Sequence, residues 1–327
     1  MSTHKPAFFF AASQSVDDSL GKTFNFIWAS YAGLRELWWQ VRGFNTNFPG
    51  LHISQIEKKF FSGLPLPGGV DLKQICINNN WDVHEDEFSK WLLFDACTLY
   101  EGWAEKVCSQ VFNSTHAEKC SKQIQFPSDL LGIGNPSGYI LAVQRANQNI
   151  SNFIKAEFFP SLSQGKYNKW IHIQEYLIAY RYFKECRNAF IHSDGKVTQE
   201  VMSAQGHFLN ILTPTQIIFK HSFSTPTNVL GSKIKLNIND VIFFTRVVKS
   251  LIATFDAALS VSLKCELVLE NRMKSLTSEN NKWDSLPANK IRREQRIHRM
   301  LSASKIPEPV SISSVDAWMI SKGIIKF

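Results

Sequence analysis

Apolar residues recur at helical spacing over most of this chain, and that periodicity limits it to a fold built from packed amphipathic helices. Residues 16 to 42 place Val16, Leu20, Phe24, Ile27, Tyr31, Leu34, Trp38 and Val41 on one stripe, with Ser15 and Asp17 as capping material near its start. From Phe88 to Phe112 the same spacing joins Leu93, Cys97, Tyr100, Ala104, Val107 and Val111. Residues 138 to 158 carry Tyr139, Val143, Ala146, Ile150, Phe153 and Glu157 on one face, and a helix over about 169 to 191 carries Ile173, Tyr176, Tyr180 and Phe183. A last long helix is predicted from about 239 to 270, capped by Asn239 or Asp240, with Val241, Phe244, Val248, Leu251, Phe255, Ala258 and Ser262 in a near-heptad stripe. "FSGLPLPGG" is turn chemistry, "WDVHEDEF" reads as a cap leading into the next helix, and "FPSDLLGIGNPS" reads as a loop. "QIIFKHSF" and "GSKIKL" are short and alternating or β-branched, which predicts a hairpin. The expected fold is mostly α: a helical bundle over residues 88–272, an N-terminal helical extension over 1–87, a small β-hairpin insertion, and a basic C-terminal segment over 273–327.

With 327 residues, 44% of them hydrophobic and 13% aromatic, the chain can bury a sizeable core and should fold. Its formal net charge of +8 points to a polyanionic partner, nucleic acid ahead of a membrane surface, beside the plainer reading of a basic soluble protein. The six cysteines are scattered with no C-x-x-C pair, as expected of reduced thiols in a cytoplasmic protein. The opening "MSTHKPAFFFAASQS" has an apolar run too short, and too weakly charged in front, for a secretory signal. No stretch approaches the roughly eighteen apolar residues of a membrane span, so a soluble, cytoplasmic protein without membrane contact is expected.

Few segments suggest chemistry. Asp82, His84, Glu85, Asp86 and Glu87 could be read as metal ligands, but acidic residues at a helix start are ordinary dipole partners and H-E-x-x-H is missing. "GIGNP" holds a lone G-x-G without a preceding strand, and there is no G-x-S-x-G. Neither a metal nor a cofactor is expected. The stretch "FKECRNAFIHSDGKV", residues 183 to 197, is different: a polar cluster ends an aromatic helix. Arg187 continues the stripe of Tyr176, Tyr180 and Phe183, where a charge is costly unless an anion meets it. The plain alternative is an arginine snorkelling near a helix C-terminus. Asn188 and His192 are four apart, so the amide could fix the imidazole tautomer. Arg187 and His192 lie about 140° apart on an ideal helix. They converge only if the helix loosens or a second copy, packed helix end to helix end against the apolar surface of Tyr176, Tyr180 and Phe183, supplies the partner group, and "SDG" offers the stop, with Gly195 able to turn left-handed.

The pattern "RNAFIH", with Arg187, Asn188 and His192, resembles the signature of the HEPN superfamily, and "SDGKV" and the later long helix fit that family's layout. The resemblance covers about residues 88–270 and is weakest in the long insertion after His192. It implies a metal-independent endoribonuclease acting as a homodimer with two motif copies facing each other. Arg187, Asn188 and His192 would be the catalytic residues. The RNA 2′-OH would attack, leaving a 2′,3′-cyclic phosphate and a 5′-OH. An imidazole titrates near neutrality and can move the proton, while a guanidinium fork matches a phosphorane-like transition state. The resemblance also implies a toxin or anti-phage defence effector acting on single-stranded or looped RNA, with an antitoxin or defence-system partner. The rival reading is a non-catalytic HEPN-like module that binds RNA or a nucleotide, or assembles with a partner. Lys290, Arg292, Arg293, Arg296 and Arg299 form a basic helix in the C-terminal segment, either a solvated face or an RNA-binding arm.

Overall fold

The computed structural model describes residues 8–61, 69–125, 130–131, 135–136, 138–219, 221–223 and 228–325. The chain begins with α1 (Ala11–Asn47) and α2 (Ile53–Phe61), then a π-helical turn (Lys73–Asn78) and α3 (Trp81–Val111). After α4 (Ser114–Gln125) come two-residue strands, β1 (Leu130–Leu131) and β2 (Asn135–Pro136), paired antiparallel. Short helices α5 (Gly138–Ala146), α6 (Asn152–Glu157) and α7 (Phe159–Ser163) lead to α8 (Ile173–His192) and α9 (Gln199–Phe219). The chain then forms α10 (Ile238–Ser260), α11 (Leu263–Leu276), α12 (Lys290–Ala303) and α13 (Ile312–Ser321). Most of the turn "FSGLPLPGG" and most of the loop "FPSDLLGIGNPS" lie outside the described residues.

Helices α3 and α10 form the centre, and α8 packs across them with α9 on its far side. The stripe residues Leu93, Cys97, Tyr100, Ala104, Val107 and Val111 of α3 are all buried, as the spacing predicts. Tyr180 of α8 sits 4.7 Å from Tyr100 and stacks on Phe244 at 5.8 Å, ring centroid to centroid. Phe183 stacks on Phe244 at 4.8 Å and meets Phe208 edge-on at 6.0 Å. Tyr176, Tyr180 and Phe183 are therefore core of a single chain, not an apolar surface kept for a second copy.

Several sequence expectations change. The 138–158 and 239–270 helices each break, and both break at the same joint. Ser151 N–H donates to the Val261 carbonyl at 2.9 Å, and Leu263 N–H donates to the Asn149 carbonyl at 2.7 Å. Pairing two backbones takes donors and acceptors from both helical ladders, so neither helix runs through. The predicted hairpin is not formed: residues 216–219 close α9, and Lys233 pairs instead with Lys196 in an isolated bridge. "WDVHEDEF" is the first turns of α3, with Asn80 as N-cap, and the cap of α10 is Asn237, whose side chain accepts from Asn239 N–H at 2.8 Å.

The segment boundaries also dissolve. Residues 87 and 88 fall inside α3, and 272 and 273 inside α11. One hydrophobic core takes in Phe8, Val16 and Ile27 from the extension and Ile297, Met300 and Val315 from the C-terminal segment. A smaller cluster of Trp38, Val41, Ile56, Leu72 and Cys76 gathers around the far half of α1. There Arg42 donates to the carbonyls of Cys76, Ile77 and Asn79 at 2.7–2.9 Å, satisfying acceptors at the end of the π-helical turn. All six cysteines are buried and unpaired, and no helix among the described residues is long and apolar enough to cross a membrane.

The start of α1 is held by a residue far away in sequence. Ser15 and Asp17, expected near the helix start as caps, lie inside α1. The fully buried Asp256 of α10 instead accepts the N–H groups of Phe9 (2.6 Å) and Phe10 (3.1 Å). Ser13, to which Trp103 Nε1–H donates at 2.7 Å, hydrogen-bonds the same carboxyl. Burial pushes Asp256 up to about 7, against the lowering effect of these donors. The folded protein thus binds this proton more tightly than the unfolded chain does. Its contribution to stability is complete below about pH 4 and is lost as the pH rises through about 7. The melting temperature should therefore fall between about pH 5 and about pH 8, and Asp256→Asn should flatten that slope. A wild-type melting curve indifferent to pH over this range would refute the assignment.

Candidate active site

Helix α8 stays regular to His192 and stops at the turn that "SDG" predicts. Ser193 and Gly195 N–H groups both donate to the Ala189 carbonyl, at 2.9 and 3.1 Å. Asp194 (φ 52°) and Gly195 (φ 68°) are left-handed. A Cβ on Gly195 would come within 3.0–3.2 Å of the Phe190 ring, so the turn requires glycine on two counts. Because the helix does not loosen before His192, Arg187 and His192 keep their separation of about 140° around its axis.

The anion that Arg187 needs is Glu101, from the middle of α3. Arg187 Nη2 lies 3.0 Å from Glu101 Oε2, and Lys184 Nζ lies 2.7 Å from Glu101 Oε1. Arg187 Nη1 donates to Asn188 Oδ1 at 3.0 Å, Asn188 Nδ2 donates to Glu185 Oε2 at 3.3 Å, and Glu185 Oε1 pairs with Arg181 at 2.9 Å. The result is a continuous polar chain of three cations, two carboxylates and one amide, with one net positive charge. Its members are mostly screened from solvent; the Arg187 and Glu101 side chains keep 18% and 22% exposure. The charges lie where a buried ion is stable only in company.

Asn188 therefore orients Arg187 and not the imidazole. His192 stands exposed on the last turn, and its ring forms no hydrogen bond among the described residues. Beneath the cluster, burial pushes the thiols of Cys97 and Cys186 up to about 12, which keeps both protonated and inert as nucleophiles near neutrality. Glu101, Lys184, Glu185 and Arg181 were not singled out from the sequence. One signal was available for Glu101: it lies four residues after the stripe position Cys97, so it faces the core side of α3, where a buried cation would find it.

The alternative metal reading of Asp82, His84, Glu85, Asp86 and Glu87 is not assembled. His84 Nε2–H donates to the Ile75 carbonyl at 2.8 Å, while Glu85 accepts from Tyr31 and Trp81. Among the described residues no three His, Cys, Asp or Glu side chains converge as a metal site.

The arginines of the basic helix α12 differ in their burial. Arg293 is buried, and its fork holds Asp316 of α13 at 2.6 and 2.8 Å while also donating to the Pro287 and Ala288 carbonyls. It locks α13 onto α12, so its expected role in RNA binding is withdrawn. Arg296 is half-buried, donating to the Lys282 carbonyl at 3.0 Å with its guanidinium 5.6 Å from the Trp283 ring. Lys290, Arg292 and Arg299 are exposed. Arg293→Ala should cost about 3–5 kcal/mol by stranding Asp316. The pair Arg292→Glu and Arg299→Glu should leave stability within about 0.5 kcal/mol but weaken RNA binding and flatten its salt dependence. Filter binding across a salt series would reduce α12 to a solvated face if the slope does not change.

No family model matches the chain, and neither the curated proteins nor the solved structures contain a significant match.

Proposed function

We propose that the chain is a metal-independent endoribonuclease of HEPN type that acts as a homodimer on single-stranded or looped RNA. The observation that carries the reading is Arg187, held near the end of α8 by Glu101 and Asn188, five residues before the exposed His192. A guanidinium positioned by two partners in a screened site can meet a phosphate with little reorganisation. An exposed imidazole can take the 2′-OH proton or return one to the leaving 5′-oxygen. In this scheme the 2′-oxygen forms a bond to phosphorus as the bond to the 5′-oxygen breaks, giving a cyclic phosphate and a 5′-OH. DNA, without the 2′-OH, would be inert.

A single α8 turns Arg187 and His192 in different directions, and Asn188 does not bridge them. A second copy, docked end to end about a two-fold axis, would bring one chain's histidine to the other's arginine. Exposed Ile191 beside His192 would lie at that contact, in place of the core residues Tyr180 and Phe183. The biology that goes with this reading is a growth-arresting toxin or defence effector in the cytoplasm, with an antitoxin or defence-system partner.

A second reading has its own support: Arg187 is already paired with Glu101, as suits a module that assembles or binds without cutting. Incubating the purified protein with total RNA and EDTA, then mapping the ends, separates the two. Cyclic-phosphate and 5′-OH ends support the nuclease; a Mg²⁺ requirement, 3′-OH products or intact RNA would reject it.

A further inference from the structure

The shared break of the two predicted long helices does more than end them: it opens a cleft. Asn149 and Leu263, joined backbone to backbone, form part of the wall of a cavity of about 610 Å³ between the ends of α3 and α5 and the starts of α4 and α11. Three side chains of basic type, Arg145, Lys264 and His116, line it, and none of its described lining residues is a carboxylate. In a protein with 28 acidic residues that segregation leaves a local positive potential. The cations are positioned: Lys264 Nζ is held by Asn113 Oδ1, and Arg145 Nη1 lies 3.4 Å from Cys120 Sγ, a weak acceptor that a phosphate oxygen would outmatch.

The remaining walls suggest what the anion is carried on. Asn113, Gln148 and Asn149 present amides with both donors and acceptors, and Leu263 and Leu267 add half-exposed apolar surface. The volume falls within the usual range for small-molecule and cofactor sites. We propose that this cleft binds a nucleotide, with Arg145 and Lys264 on its phosphate, the amides on the base edge and the two leucines against its flat face. The site is separate from the α8 cluster, since Glu101 and Val111 are ten residues, about 15 Å, apart along α3. It does not depend on the nuclease reading.

Calorimetric titration of the full chain with AMP, adenosine and inorganic phosphate tests this. AMP should bind, and adenosine and phosphate should each bind at least about tenfold more weakly, as the loss of one charge-assisted contact set implies. Lys264→Gln, an exposed change, and Arg145→Gln should each weaken AMP by about tenfold, whereas Arg187→Ala should leave it unchanged. Competition with 5′-phosphorylated and 5′-hydroxyl oligoribonucleotides identifies the source. Displacement of AMP by the phosphorylated strand alone assigns the cleft to an RNA end, and no displacement by either strand assigns it to a free nucleotide. Undetectable AMP binding at millimolar concentration, AMP affinity unaffected in folded Lys264→Gln and Arg145→Gln, or its loss in Arg187→Ala would overturn the proposal.

Discussion

His192→Ala is expected to lower RNA cleavage by about 10²–10⁴-fold, the range for removal of a general acid or base, without loosening the fold. The imidazole is exposed on the last turn of α8 and bonds to none of the described residues, so its removal should change stability by no more than about 0.5 kcal/mol. Arg187→Ala should cost about 10²–10³-fold through lost charge stabilisation, but it also leaves Glu101 with Lys184 as its remaining charged partner. Arg187→Lys is the sharper test, because it keeps a cation beside Glu101 and removes the bidentate fork. If that variant melts like the parent and cuts no RNA, the guanidinium geometry is what the reaction uses. Full cleavage by both His192→Ala and Arg187→Lys would remove the site.

Phe183→Ala should destabilise the chain by about 3–5 kcal/mol, a large share of the stability of an ordinary domain. The ring is fully buried between Phe244, Phe208 and Tyr182, and nothing nearby is free to fill the space it leaves. A charged residue there should prevent folding altogether, since it would be buried without a partner. Urea denaturation measures the first effect, and sedimentation separates it from assembly. A Phe183→Ala protein as stable as the parent, with only its oligomeric state altered, would return the aromatic stripe to an interface.

The helical stripes were legible because their spacing reports which face meets a core. Val16, Ile27, Trp38 and Val41 on α1, and the full α3 stripe, are buried as their periodicity implies. The same signal could not distinguish a core within the chain from a core between two chains. Tyr180 and Phe183 look alike in both cases, and the approach of Phe244 and Phe208 decided between them. Periodicity also ran straight through two breaks, at 147–151 and 261–262, because the interruption is a backbone pairing between segments more than a hundred residues apart. No local pattern encodes it.

The site divides in the same way. The sequence by itself determined that α8 ends at a glycine-dependent turn, that Arg187, Asn188 and His192 lie in its last turns, and that Arg187 continues the core-facing stripe, where a charge is costly without an anion. Those are consequences of φ preferences, helical angles and the cost of burying charge, all of which act over a few residues. Only the tertiary structure decided that the anion is Glu101, that Asn188 serves Arg187 and not His192, and that Arg293 is a structural lock on Asp316. Each of these is a choice among several chemically adequate partners. Distance in the folded chain makes that choice, because a charge-assisted bond is strong at about 3 Å and falls to about 1 kcal/mol or less once the charges are separated by bulk water.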